Sequence, residues 1–308
     1  MSTLKDLFVG PPNLKMALIN SASLATVLTV FGHAFLGFEQ SLMQMAVALM
    51  AGYSSAILFE YIDAKCLQRR PRYLGNGWSG FVFFMLPAHM TAITISFLIY
   101  VNDSLLMMVF AVVLAIGSKH VFRYKNGSRY QHFFNPSNFG IAVIFLVAPW
   151  ANIIVYQFTE TYSGFWDWLV LIVIALLGMR MNLFLTKRMA IILAWVSGFF
   201  LQAFLRGQLY PVQMAAEITM ITAPAFVLFT FYMITDPMTS PSKLIPQIVF
   251  GFSIAMAYGV LMYFHVVFAI FFAVTIVTGS RGLFIMLSLW FERQRVQANL
   301  AGNVLPSS

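Results

Sequence analysis

The chain has 308 residues, of which 9% are charged and 60% hydrophobic, with a mean hydropathy of +0.83. A soluble domain carries about 25% charge, so this composition excludes an ordinary soluble enzyme and predicts an all-α, polytopic integral membrane protein. The net charge of +8 is spread among loops, which reads as a membrane-orientation signal and argues against nucleic acid as a partner.

In chain order, apolar stretches predict ten spans, at about 17–37, 41–62, 79–100, 104–118, 136–149, 164–179, 189–205, 212–235, 246–263 and 266–290. In lipid such stretches must be helices, because the backbone finds no water to bond. The last span is interrupted by Gly279, Ser280, Arg281 and Gly282. There the chain is expected to leave the bilayer, with "LFIMLSLWFERQR" lying along the interface as an amphipathic helix. The whole chain, 1–308, reads as one transmembrane domain, with 1–16 and 291–308 as its flanking tails. The lone Cys66 excludes a disulfide framework or cysteine metal cluster, and no cleavable signal peptide is expected.

With the N-terminus in the cytoplasm and ten alternating spans, all of the 18 Lys and Arg except Arg206 fall on the inner side. This positive-inside bias predicts that both termini face the cytoplasm of a bacterial inner membrane. The outer loops keep Glu39, Asp103, Glu160 and Asp167. Ten spans divide into two sets of five, and an odd number per half makes the halves antiparallel, the inverted-repeat plan of many transporters with broken helices.

Two polar segments interrupt this apolar sequence. In "FNPSNFG" (134–140), Asn135 suits a helix N-cap and Pro136 the first helical position, where a missing N–H costs nothing. About a dozen apolar residues follow before Pro149, so the predicted helix starts late and shallow. "ITDPMTSPSK" (234–243) repeats the pattern, with Asp236 expected as cap and Pro237 in the first helical position. By the topology above, both segments lie at the cytoplasmic face. Irregular backbone at membrane depth survives where protein buries it or where it lines a cavity. Asn135, Ser137, Asn138, Thr239 and Ser240 are therefore candidate ligand-binding residues, with Asp236 as a charge site. Ordinary capped helix starts in interfacial loops are the competing reading.

These motifs, together with "CLQRRPRYLGNGWSGFVFFMLP" (66–87), resemble one group of membrane proteins, the NqrB/RnfD-like family. Its members are the NqrB component of the sodium-pumping NADH:quinone reductase and the RnfD component of the Rnf ferredoxin-oxidising complex. The likeness runs from about residue 45 to 285, and shorter stand-alone (UnbU-like) relatives associated with enediyne-biosynthesis clusters are closer in length. The resemblance implies a ten-helix bundle related to the urea and ammonium transporter folds. It also implies flavin-based electron transfer coupled to sodium movement, within a complex of partner subunits. Family members with covalent FMN attach it through a Ser/Thr-Gly-Ala-Thr motif in the outer region after the fifth span. This chain has no such tetrapeptide, and "VTGS" (277–280) stands in the wrong place and order, so covalent FMN is not expected. A non-covalent flavin, FMN or riboflavin, bound between helices remains the implied cofactor.

Among other polar residues, Glu60 near the inner end of the second span is either a functional carboxylate or an interfacial residue paired with neighbouring arginines. His89, mid-span after Pro87, suits a proton relay or a helix contact. Haem is disfavoured, because His33 and His265 read near the outer ends. His120 and His132 flank a basic loop, "KHVFRYKNGSRYQH", and Glu217 begins the eighth span. No metal site, phosphate-binding Gly-rich loop or nucleophile–base pair is visible, and no catalytic residue is assigned. Three functions follow as hypotheses. One is a membrane-embedded subunit of a flavin-type electron-transfer system that passes electrons or couples their flow to ion movement. Another is a transporter or channel for a small polar solute or ion, working without a cofactor. The third is a membrane scaffold subunit of a larger complex.

Overall fold

The computed structural model describes residues 12–302, except 39, 76, 128, 154–164, 210–213 and 216–217. The readings of Glu39, Glu160 and Glu217 fall outside the described residues, as do the side chain of Asp167 and the chain beyond 302. The protein is an all-α, multi-pass membrane protein. Seven helices among the described residues are long and apolar enough to cross a bilayer: Leu14–Phe35, Leu42–Cys66, Gly77–Leu98, Trp168–Thr186, Met189–Gln208, Leu244–Tyr263 and Ala269–Arg295. Three shorter apolar helices, Leu105–Val121, Pro136–Val147 and Pro224–Met233, fall on the other predicted spans. At 1.5 Å per residue the 12 residues of Pro136–Val147 reach only about 18 Å, against roughly 30 Å of hydrocarbon.

In chain order the helices are α1 (Leu14–Phe35), α2 (Leu42–Cys66), α3 (Gly77–Leu98), α4 (Leu105–Val121), α5 (Pro136–Val147), α6 (Phe165–Arg180), α7 (Met189–Leu209), α8 (Pro224–Leu228), α9 (Leu244–Tyr263) and α10 (Ala269–Gly302). Two helices run on as π-helical turns, α6 through Met181–Thr186 and α8 through Phe229–Met233. The expected continuous span at 212–235 is thus divided. Pro224 lacks an N–H and suits the first turn of a helix, and a short 3-10 turn, Met220–Thr222, ends before it.

Two further departures from the sequence reading bear on function. The basic loop between α4 and α5 is a hairpin, with Arg123–Asn126 paired antiparallel to Arg129–His132. Its signal was Gly127, a residue suited to a hairpin turn, which follows the last paired residue, Asn126, and takes a positive φ of 59°. The expected break at 279–282 does not occur, because α10 runs without interruption to Gly302. Its glycines serve close approach instead. A Cβ on Gly282 would lie 2.3 Å from the Phe133 ring, and one on Gly279 would lie 3.1 Å from Phe134.

Helices that face lipid gain nothing from apolar burial against one another, so close backbone contact and shape hold them together. Gly140 brings α5 against α4, where a Cβ would lie 2.6 Å from the Ala111 carbonyl oxygen. Gly251 does the same for α9 against α7, 2.4 Å from the Ile191 carbonyl oxygen. Beside that contact Trp195 is fully buried among Phe199, Phe226, Phe229 and Tyr258. Its indole N–H donates to Thr230 Oγ1 at 3.0 Å, tying α7 to the π-turn after α8. Large side chains such as Val30, Leu58, Leu106, Leu146, Ile245 and Val260 remain exposed, as a lipid-facing surface requires.

Candidate functional site

The two polar segments meet. Asn135 is the N-cap of α5, with φ −66° and ψ 121°, and Pro136 follows in the first turn. Its Oδ1 accepts the Asn138 backbone N–H at 3.1 Å and the Ser137 hydroxyl at 2.9 Å. Its Nδ2 donates across the junction to the Met233 carbonyl at 3.1 Å. That carbonyl closes the second π-turn, whose wider pitch leaves acceptors for partners outside the helix. A second tie runs from Gln131 Nε2 to the Met238 carbonyl at 2.7 Å. Asn138 reaches the last helix, its Nδ2 donating to the Phe271 carbonyl at 3.0 Å and to Thr275 Oγ1 at 2.9 Å. Asn138 is 1% exposed, and its Oδ1 has no hydrogen-bond partner among the described residues.

The segment after Met233 is not a second capped helix. The next helix, α9, begins only at Leu244, with Lys243 at its N-cap position. Asp236 instead closes a tight turn. Its Oδ1 accepts the Met238 N–H at 3.1 Å and its Oδ2 the Thr239 hydroxyl at 3.2 Å. Its carbonyl accepts the Ser240 N–H and hydroxyl. Pro241 is the physical reason, since it cannot supply a helical N–H and forces Ser240 away from α geometry. Thr239 and Ser240 are buried at 2% and 3% exposure, with their hydroxyl protons committed to this turn.

Three cations gather near the turn, none of them assigned a binding role from the sequence. Arg188 Nε donates to Ser240 Oγ at 2.9 Å, and Arg281 Nη1 donates to the Thr239 carbonyl at 2.7 Å. Lys119 at the end of α4 lies within electrostatic reach of Asp236, as does Arg188. Arg188 is placed by local geometry. Lys187 adopts left-handed backbone, φ 58°, after the π-turn, and Arg188 N–H donates to the Asn182 carbonyl at 3.0 Å. The chain thus reverses in two residues and turns Arg188 inward, to 3% exposure. Burial lowers its pKa to about 10 and raises that of Asp236, against the pull of the Met238 N–H, the Thr239 hydroxyl, Lys119 and Arg188. No sequence period marks which loop arginine points inward. The adjacency of "TKR" to a span was the only available hint.

Glu60 belongs to a different cluster. It is fully buried and bridges Arg69 and Arg72, with Arg72 Nη2 at 2.6 Å. The Arg72 backbone N–H also donates to it, at 2.7 Å. Asp63, one turn on, pairs with Arg69 at 2.7 Å and with Arg123 of the hairpin. Glu60 raises the pKa of Arg69 further above its usual value. This corner fixes the 67–75 loop and the hairpin to the end of α2. Beside it, rather than at the junction, lies an open concavity of about 280 Å³ lined by residues including Lys65, Gln68 and Arg69.

His89 joins three helices and stands apart from the junction contacts. Its Nδ1 lies 2.7 Å from the Tyr53 hydroxyl and its Nε2 2.8 Å from Thr26 Oγ1. The Thr26 hydroxyl donates to the Ala22 carbonyl, so it accepts from an Nε2–H, and Tyr53 donates to Nδ1. His132 pairs in register with Arg123 in the hairpin. Burial, with Lys119 and His120 nearby, lowers its pKa to about 3.

No family model matches the chain, and no curated protein matches it.

Proposed function

We propose that the protein is a membrane-embedded subunit of an electron-transfer system, with the junction of the two segments as its functional site. The observation that carries the reading is the junction itself. Asn135 hydrogen-bonds Met233 across 98 residues of sequence and leaves Asn138 Oδ1 buried and open. A buried acceptor without a donor is costly, and a ligand N–H satisfies it. Non-covalent flavin fits that demand, since the polar edge of its ring carries such an N–H, and it would supply one- and two-electron chemistry. The chain's own part is to orient that edge through Asn138, itself held by Phe271 and Thr275. Asn135, Ser137, Thr239 and Ser240 hold the cradle rather than the ligand, because their protons are committed internally. The reading also takes the ten-span, inverted-repeat topology with both termini cytoplasmic, in a bacterial inner membrane, and partner subunits that deliver and accept electrons.

The test is the absorption spectrum of protein purified in mild detergent. A near-stoichiometric flavin band is expected, reduced at least several-fold by Asn138→Leu. A colourless wild-type preparation overturns the reading. One observation favours a cofactor-free ion transporter instead: Asp236 is a half-buried carboxylate with no direct ion pair among the described residues, as an ion-coupling group in a membrane would be. Uptake by liposomes without an electron donor, abolished by Asp236→Asn, would select that function.

A further inference from the structure

The charges at the junction do not balance. Lys119 and Arg188 lie within electrostatic reach of one carboxylate, Asp236, with Arg281 near Arg188, and none of the three makes an ion pair within 4.0 Å among the described residues. With Asp236 ionised, the excess is two positive charges. Arg188 is the decisive member. It is 3% exposed, it spends only Nε on Ser240, and its two terminal nitrogens donate to no described atom. Arg281 likewise spends one nitrogen, on the Thr239 carbonyl. Lys119 has only a long contact, 3.4 Å, to Thr91 Oγ1. Lys119 and Arg281 are partly exposed, whereas Arg188 is buried, and a buried charge is costly without a counter-charge. A guanidinium with free N–H groups presents a fork that matches two oxygens of an oxyanion.

We infer that the junction is a phosphate-binding site, in which Arg188, assisted by Arg281 and Lys119, holds the oxyanion beside the Asp236–Ser240 turn. A phosphate monoester or inorganic phosphate carries a charge of about −1.5 to −2 near neutrality, which matches the excess. A phosphodiester headgroup carries about half of that. Ser240 and the Thr239 carbonyl position the two guanidinium groups, and Asp236 opposes the anion and sets how tightly it binds. The site stands whether or not a flavin binds at Asn138.

The experiment is titration of the full-length protein in phosphate-free detergent buffer with inorganic phosphate, read by calorimetry and thermal shift against chloride at matched ionic strength. Saturable binding is expected. Arg188→Met should weaken it about tenfold or more, the loss typical of a charge-assisted hydrogen-bonded anchor. Arg188→Lys, which keeps charge but loses the fork, should fall between. Asp236→Asn should tighten binding, a change of sign that a folding defect does not produce. FMN competing with phosphate while riboflavin does not identifies a phosphorylated flavin as the source. Co-purified phosphatidylglycerol, seen by native mass spectrometry and lost in Arg188→Met, identifies a lipid headgroup and also upholds the site. Absence of saturable phosphate binding and of retained phospholipid, or an Arg188→Met protein that melts normally and binds as wild type does, overturns it. A colourless preparation that still binds phosphate would defeat the flavin reading alone.

Discussion

The Glu60 corner and the Asp236 junction use similar residues to opposite ends. At the corner two carboxylates meet three arginines in direct ion pairs, and every charge has a partner. At the junction three cations lie about the Asp236–Ser240 turn without an ion pair to its one carboxylate among the described residues, and donors are left over. The corner is built for rigidity. The junction keeps binding capacity, which is the mark of a site rather than a clamp.

Breaking the corner should produce the largest loss of stability. Glu60→Gln is expected to cost roughly 2–4 kcal/mol, read as a lower melting temperature in detergent. That is below the full cost of splitting a buried pair, because Arg69 and Arg72 are 30% and 63% exposed. Next is Asn135→Ala, which removes an N-cap worth about 1 kcal/mol and leaves the Met233 carbonyl with only the long Asp236 N–H contact of 3.4 Å, for a total of about 2 kcal/mol. Asp236→Asn sharpens the contrast, with a change within about 1 kcal/mol near neutrality because no contact ion pair is lost. Its pH dependence has a defined sign. A carboxyl whose folded pKa is raised stabilises at low pH and loses that contribution as pH climbs through the folded value. The melting temperature of wild type relative to Asp236→Asn should therefore fall as pH rises. His132 acts only below neutrality; its folded pKa is depressed from 6.5 to about 3. Its contribution is present above about 6.5 and is lost as pH falls from there toward about 3. His132→Gln should flatten that part of the stability profile, and an unchanged profile would remove His132 as its source.

Much of this is legible in the sequence, and the illegible part has a pattern. The Asn135 cap and Pro136 start can be read because capping is settled within four residues. The same grammar misleads at Asp236, where Pro241 prevents the helix that a cap would begin. The Gly279–Gly282 step reads as a break because glycine is a poor helix former, yet its lack of a side chain is what admits Phe133 and Phe134. The hairpin at 123–132 was missed although Gly127 marked its turn. For Glu60, pairing with arginines was one of two readings open from sequence, since its partners lie only 9 and 12 residues away.

The sequence by itself determined the membrane class, the approximate position of each apolar helix and the start of α5, because these depend on composition and on interactions a few residues long. Only the tertiary structure decided that Asn135 would meet Met233, that Gln131 would meet Met238 and that Arg188 would meet Ser240 with nitrogens to spare. Those contacts join residues 52 to 107 positions apart. Which loop charges are neutralised and which are left open depends on how the helices pack, and the apolar sequences of the helices do not encode that pairing locally.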